Sequence, residues 1–260
     1  MIPAFPESPM KKPRDLHWTD WIVSSVSTGE ALRVPELFER VAPLEIEVGC
    51  GKGRYLIAAA MARPDHDFLG IERKLATLRL CAGRAARRGL ENVRLMKADA
   101  GPVLWGQIAP QSVAAVHVYY PDPWWKARHK KRRIFSPEFV ADVARLLAKG
   151  GELRVATDVV EYFEAILEFV AASPCFERRP VAVEEFGTPE APITTFQAKY
   201  VPLGRAINGA LFVRTAAPAP ETPDPRERFR ILRERKRSRL PEHPEPEERE
   251  PSHRDLPPSE

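Results

Sequence analysis

Four acidic residues, Glu47, Glu72, Asp99 and Asp122, each stand at the end of a short apolar stretch or just beyond it. Carboxylates placed this way can accept hydrogen bonds from hydroxyl and amino groups and can balance positive charge on a ligand. The first belongs to Glu47-Val48-Gly49-Cys50-Gly51-Lys52-Gly53, where alternate glycines allow a sharp turn and a close approach of backbone to ligand. Gly51-Lys52-Gly53 lacks the Ser or Thr hydroxyl that a phosphate-binding loop uses to hold magnesium. The third glycine also comes one residue too early for the dinucleotide pattern. Glu72 lies nineteen residues beyond Gly53, a spacing at which an acid can take both hydroxyls of a ribose. Asp99, followed by Ala100, closes the next stretch. A single acid in a loop is ordinarily just solvated. Three that close successive strands point to one ligand.

The fourth stretch runs into Tyr119-Tyr120-Pro121-Asp122-Pro123-Trp124-Trp125, then Lys126 to Arg133, where six of eight residues are Lys or Arg. Two prolines fix the backbone on either side of Asp122 and hold its neighbours extended. Adjacent aromatics can stack on a base, and the cations suit phosphates. A charge run is usually a solvated face, but this one follows the segment expected to carry the acceptor. His129 within it suits phosphate or packing contacts better than proton transfer. His117, inside the apolar fourth stretch, reads as a satisfied core residue. Trp18 and Trp21 read as packing the N-terminal arm onto the domain, and Lys52 and Arg54 as facing solvent.

These residues need a scaffold, and the chain between about 41 and 215 supplies one. Strands are expected at 44–48, 68–71, 93–96, 114–120 and 153–156, with weaker ones near Val181–Val183 and Leu211–Val213. Helices are expected at 55–62, 74–88, 137–148 and 160–172. Ser136 caps the third of these helices, and Gly150-Gly151 stop it. Strand and helix alternating in this way give an α/β fold with a doubly wound, mostly parallel sheet, which binds ligands at the carboxyl ends of its strands. Residues 1–40 form a Pro- and Trp-bearing arm with a short helix near 34–41, and residues 216–260 a Pro-rich charged tail.

Composition excludes other classes. The longest apolar run, Tyr55 to Ala62, is far short of the ~20 residues of a membrane span. Three prolines and a Glu precede the first lysines, which is not the pattern of a signal peptide. Cys50, Cys81 and Cys175 match no metal spacing and read as reduced thiols of a cytoplasmic protein, with no metal expected. A net charge of +4 is a mild hint of an anionic partner.

Glu-x-Gly-x-Gly-x-Gly resembles the first motif of class I S-adenosylmethionine-dependent methyltransferases. Pro-Asp-Pro-Trp followed by Lys-x-Arg-His-x-Lys-Arg-Arg resembles the signature of bacterial tRNA (guanine-N7)-methyltransferases. Asp158 after the fifth strand, and Thr194-Thr195-Phe196-Gln197 with Lys199 and Gly204 downstream, match further motifs of that family. The resemblance spans roughly residues 44 to 213. It implies a seven-stranded Rossmann-like methyltransferase sheet, S-adenosylmethionine as cofactor and the variable-loop guanine of tRNA as substrate. It places Glu47, Gly49, Gly51, Glu72, Asp99, Ala100 and Asp122 on the cofactor side, with Asp99 facing the adenine and Asp122 also catalytic. Lys126, Asp158, Thr194, Thr195, Phe196 and Gln197 would contact tRNA. The family usually has Glu at position 197; Gln keeps the acceptor oxygen and adds a donor but carries no charge.

Two other readings compete. One is an amino-group methyltransferase, whose Asn/Asp-Pro-Pro-aromatic motif is superficially similar to Pro-Asp-Pro-Trp. The other is a tRNA-binding module without turnover. In the tail, residues 226 to 239 hold eight Lys or Arg against two acids. That stretch reads either as a self-neutralising disordered tail or as a basic helix that adds tRNA affinity. A monomer or weak homodimer is expected.

Overall fold

In the computed structural model, residues 17–23, 32–124, 128 and 132–237 are described. The N-terminal arm contributes a 3-10 turn, Trp18–Trp21, then strand β1, Ile22–Val23, and helix α1, Val34–Phe38. The alternating body follows as β2 Leu44–Val48, α2 Arg54–Ala62, β3 Asp67–Glu72, α3 Leu75–Arg88, β4 Val93–Lys97, α4 Ala100–Gln107, β5 Val113–Tyr119, α5 Pro137–Leu146, β6 Leu147–Thr157 and α6 Val160–Ala171. It closes with β7 Phe176–Arg179, α7 Thr195–Tyr200, β8 Asn208–Arg214 and α8 Pro225–Arg237. The described residues include no helix long and apolar enough to cross a membrane.

The strands form one eight-stranded sheet in the order β1-β4-β3-β2-β5-β6-β8-β7. All pair in parallel except β8, which runs antiparallel to both β6 and β7. Strand order reverses between β2 and β5, so the crevice of a doubly wound sheet opens there, at the carboxyl ends. Every residue of β2 is buried, and β3 and β5 are almost wholly so. Helices cover both faces of these strands, so even the alternate Glu45 and Glu47 of β2 are buried.

The doubly wound arrangement is as expected, with one more strand than the seven anticipated. The addition, β1, comes from the arm: Ile22 and Val23 register with Leu95 and Met96 on the edge of β4. Trp21 Nε1 donates to the Leu90 carbonyl at 2.6 Å, and the Arg79 guanidinium lies over the Trp18 ring at 5.2 Å. Both tryptophans therefore pack the arm onto α3 and β4.

Three boundaries differ from the sequence expectation. Helix α5 begins under its Ser136 cap, whose hydroxyl accepts from Phe139 N, but it ends at Leu146. Gly150 and Gly151 lie within β6, where the register jumps from Val113↔Leu147 to Ala115↔Glu152. The pair bulges the strand. It does not cap the helix. Strand β7 lies at Phe176–Arg179, upstream of the expected Val181–Val183, because Pro180 can donate no ladder hydrogen bond and Val183 opens a 3-10 turn. Helix α4 is an addition to the expected elements; its eight residues are apolar almost all round and show no helical stripe.

His117 is a satisfied core residue. Its imidazole meets Glu45 Oε2 at 2.8 Å and the Tyr55 hydroxyl at 3.0 Å. Burial pushes its pKa down, and the Glu45 carboxylate opposes that.

Candidate cofactor and acceptor site

The parallel order sets four acids along one edge of the sheet. Glu47 is the penultimate residue of β2 and Glu72 the last of β3, while Asp99 follows β4 by two residues and Asp122 follows β5 by three. Their strands are consecutive neighbours in the sheet, β4-β3-β2-β5, and all point the same way.

The turn between β2 and α2 is held by its own backbone. Gly49 N and Cys50 N both donate to the Ile71 carbonyl, at 2.8 and 3.2 Å, and Gly53 N donates to Cys50 O at 2.8 Å. Gly49, Gly51 and Gly53 all take the left-handed region, at φ +74°, +54° and +71°. At Gly53 a Cβ would also collide with the Cys81 thiol. Glu72 braces the loop, since Oε2 accepts from Gly51 N at 3.2 Å and Oε1 from Lys74 N at 2.9 Å. A carboxylate has about four acceptor positions, so both oxygens can still take ligand hydroxyls.

Glu47 is only 4% exposed, and its Oε2 has no hydrogen-bond partner. Burial pushes its carboxyl pKa well up, with Cys81 and the Glu72 charge adding to the effect and the Leu56 N–H opposing it. An orphaned acceptor under the glycine turn fits a cationic or amino-bearing ligand. Asp99 is exposed and caps α4 through a long 3.4 Å contact to Gly101 N. Ala100, the buried first residue of α4, contributes an N–H with no intrahelical acceptor.

The acceptor side is assembled from distant segments. Tyr120 has φ +51° and Trp124 φ +43°, so two left-handed non-glycine residues bracket Pro121-Asp122-Pro123. Such conformations cost about 1–3 kcal/mol each and persist only where the surroundings enforce them. Here Tyr120 N donates to the Ala156 carbonyl at 2.7 Å, and the Tyr120 ring stacks on Phe196 at 4.6 Å and 22°. At the other end Arg133 Nε donates to the Pro123 carbonyl at 2.7 Å while its guanidinium lies 4.5 Å from the Tyr162 ring centroid. The Arg132 guanidinium covers the Trp124 ring at 4.9 Å. Asp122 itself is exposed. Lys126 and His129 lie outside the described residues. Within the basic run, Arg133 thus turns inward as a clamp, whereas Arg128 and Arg132 are exposed.

Asp158, with its side chain 10% exposed, pairs with Arg205 at 3.3 Å. Burial raises the Tyr120 phenol pKa, the nearby Gln197 amide opposes this and the Asp158 charge reinforces it, while the buried hydroxyl itself makes no hydrogen bond. The Thr194–Gln197 motif forms the start of α7. The Thr194 hydroxyl accepts from Gln197 N at 3.1 Å, and the Gln197 side chain accepts in turn from Thr194 N, making a capping box.

Gln197 is fully buried. Its Oε1 accepts from Ile193 N at 2.9 Å and Thr194 N at 3.1 Å, and its amide donates to the Phe186 carbonyl. The amide supplies the donor that the Phe186 carbonyl receives, which an ionised carboxylate could not. Thr195 is exposed, and Phe196 lies between Tyr120 and Tyr200, at 4.6 Å from each.

Sequence reasoning missed several of these supports. Arg54 was expected to face solvent, yet its Nε donates to the Pro192 carbonyl at 2.8 Å and ties the glycine turn to the approach of α7. Tyr120, Arg133 and Arg205 were not singled out. Only Tyr120 carried a signal, as an aromatic before a rigid Pro-Asp-Pro.

Comparisons with known proteins show the family. A family model described as "Putative methyltransferase" matches residues 41–210. A tRNA (guanine-N(7)-)-methyltransferase of a Nocardioides species is 38% identical over 197 residues, covering 76% of this chain and 78% of the relative. One from Pseudoalteromonas atlantica is 37% identical over 186 residues, covering 71% and 78%. Among solved structures, the 16S rRNA methyltransferase KamB aligns with a TM-score of 0.52 at 17% identity, covering 71% of this chain and 93% of that one. At that identity the likeness concerns the fold. With the carboxylate edge, the rigid Pro-Asp-Pro loop and the kinship to these relatives over most of its length all in agreement, this chain belongs to the tRNA (guanine-N(7)-)-methyltransferase family.

Proposed function

We propose that this protein is a cytoplasmic enzyme that transfers the methyl group of S-adenosylmethionine to N7 of a variable-loop guanine in tRNA. The observation that carries the reading is the carboxylate edge itself. Three acids at the ends of neighbouring parallel strands stand beside a fourth, Asp122, in a loop bracketed by two left-handed residues, in a chain of this family.

Glu47, Gly49, Gly51, Glu72, Asp99 and Ala100 would hold the cofactor, with Asp122 at the boundary between cofactor and acceptor. The fit rests on the orphaned Glu47 oxygen, the two-oxygen brace at Glu72 and the Ala100 N–H at the start of α4. When bound, S-adenosylmethionine supplies an electrophilic methyl group and a positive sulfonium that a carboxylate edge suits.

N7 of guanine attacks with its own lone pair, so no side chain has to remove a proton first. The protein's work is therefore alignment and charge stabilisation. Asp122 positions the base and favours the positive charge that arrives on the ring. Asp158 assists, held by Arg205 near the Tyr120 hydroxyl. Thr195 and Phe196 face the substrate, Thr194 and Gln197 build the turn that presents them, and Lys126 serves phosphate or base contact. Incubation with labelled S-adenosylmethionine and unmodified tRNA, followed by digestion to nucleosides, tests the reading. Label in N7-methylguanosine is expected. Label on an exocyclic amine, or none, would overturn it.

A further inference from the structure

The tail is not a separate appendage. Helix α8 is seated on the domain by a built socket. Arg228 forms a two-pronged pair with Asp142 of α5, at 2.6 and 3.1 Å, and Asp142's side chain is only 5% exposed. The same guanidinium lies over the Trp105 ring of α4 at 4.7 Å, and the Phe229 ring meets Trp105 at 4.4 Å. Gly106 completes the socket, because a Cβ there would stand 2.8 Å from Phe229 Cε2. Three features of the body, a buried acid, an indole face and a missing side chain, receive two consecutive residues of the tail.

The rest of the helix has a composition that packing does not require. Seven Lys or Arg stand against two Glu in its thirteen residues, and Asp142 neutralises one of the seven. Arg226 and Arg230 are exposed, with Arg230 shared at 3.6 Å between Glu227 and Glu234. Like charges three and four residues apart repel, so this helix is held against its own charge and gains stability near a polyanion. Its seat also matters. Helix α4 starts immediately after Asp99, and α5 follows the Pro121–Pro123 loop and the basic run. The contacts fall at Trp105 and Gly106, near the end of α4 away from Asp99, so the cationic helix stands on the flank of the domain, apart from the carboxylate edge.

We infer that α8 is a docked phosphate-binding ridge that engages the tRNA backbone away from the reacting guanine. The inference rests on tRNA being the substrate. Arginines and lysines that meet phosphates release counterions, so their contribution appears as salt dependence and carries no base specificity.

The test uses the full chain and unmodified tRNA. In one variant Arg226, Arg230, Arg233, Arg235, Lys236 and Arg237 become Gln, which leaves the Arg228 and Phe229 anchor intact. In a second, R228A/F229A, the anchor is removed and those cations remain. The expected result for the first is a rise in the tRNA KM of about tenfold or more at near-physiological salt, with kcat and S-adenosylmethionine affinity unchanged. The slope of log affinity against log salt should flatten by about 0.9 for each phosphate no longer neutralised. The second should raise KM by a smaller factor while keeping most of the salt slope. An unchanged KM and slope in the first variant would overturn the inference, as would an unchanged KM in the second. Nucleoside analysis of the same reactions reads the methylated atom independently, so failure of the ridge and failure of the guanine assignment are distinguishable.

Discussion

Between Gly49 and Asp99 the candidate site is held mostly by bonds within that span, with Arg54 to Pro192 the exception, whereas between Tyr120 and Arg205 it is held by partners far apart. On the cofactor side each acid is delivered by its own strand, and the glycine turn closes on backbone hydrogen bonds to β3. On the acceptor side the Pro-Asp-Pro loop depends on Phe196, 76 positions from Tyr120, and on the Arg133–Pro123 clamp against Tyr162. Parallel strands register their ends automatically, so acids placed after them need little further support. A loop that carries two left-handed non-glycine residues does need it. The cofactor half should therefore tolerate removal of distant partners, and the acceptor half should not.

The sharpest way to break this contrast is Asp122→Ala. Turnover at saturating S-adenosylmethionine should fall by about a hundredfold or more, the scale of removing one preorganised electrostatic group. Calorimetry of cofactor binding should change far less. Near-normal turnover would remove Asp122 from the chemistry.

Arg133→Met keeps an apolar stem beside Tyr162 and deletes the donor to Pro123. It should lower kcat/KM for tRNA by about tenfold and destabilise the protein by roughly 1–3 kcal/mol in urea unfolding, the cost of stranding a partly buried acceptor. Glu72→Gln is its counterpart on the cofactor side. It should weaken cofactor affinity while sparing tRNA binding, and equal damage to both would erase the difference between the two halves.

Gln197→Glu probes whether α7 needs a donor or an anion. With the buried amide replaced by a carboxylate facing the Phe186 carbonyl, stability should fall by about 1–3 kcal/mol at pH 8. The introduced carboxyl would have its folded pKa raised by that burial, so its protonated form regains the donor and stability should recover toward pH 5. A melting temperature that is flat with pH would count against this account.

The smallest effect is expected at Glu47→Gln. Burial holds the Glu47 pKa well above its unfolded value. Below the unfolded value both states are protonated and nothing is lost. As pH rises past it the unfolded chain ionises freely and the folded one resists, so stability declines until the raised folded pKa is reached. The Gln variant should flatten that decline and raise the melting temperature of the ligand-free protein by a few degrees, about what 1 kcal/mol produces in a domain of this size. Cofactor affinity should weaken.

The doubly wound class, the glycine turn and the four strand-end acids were legible because each is a local pattern. Apolar runs fix strands, and strand ends fix where the acids stand. The arm was legible as packing and as the short helix α1 but not as a strand, since a two-residue strand such as β1 acquires its identity from β4 and not from its own residues. The Gly150-Gly151 pair was misread because glycine marks a helix stop and a strand bulge equally well, and the β5–β6 register decides between them.

The sequence alone determined which residue types stand at the ends of which strands, because alternation and breakers act within a few residues. Tertiary structure decided what those residues touch. Arg133 belongs to a basic run yet points inward, Gln197 lies in a segment expected to meet tRNA yet is consumed in holding its own turn, and Arg228 leaves a charged tail to pair with a buried acid. Each outcome depends on a partner tens of residues away or on burial that no local pattern encodes, and a side chain's role follows from the partner that desolvates it.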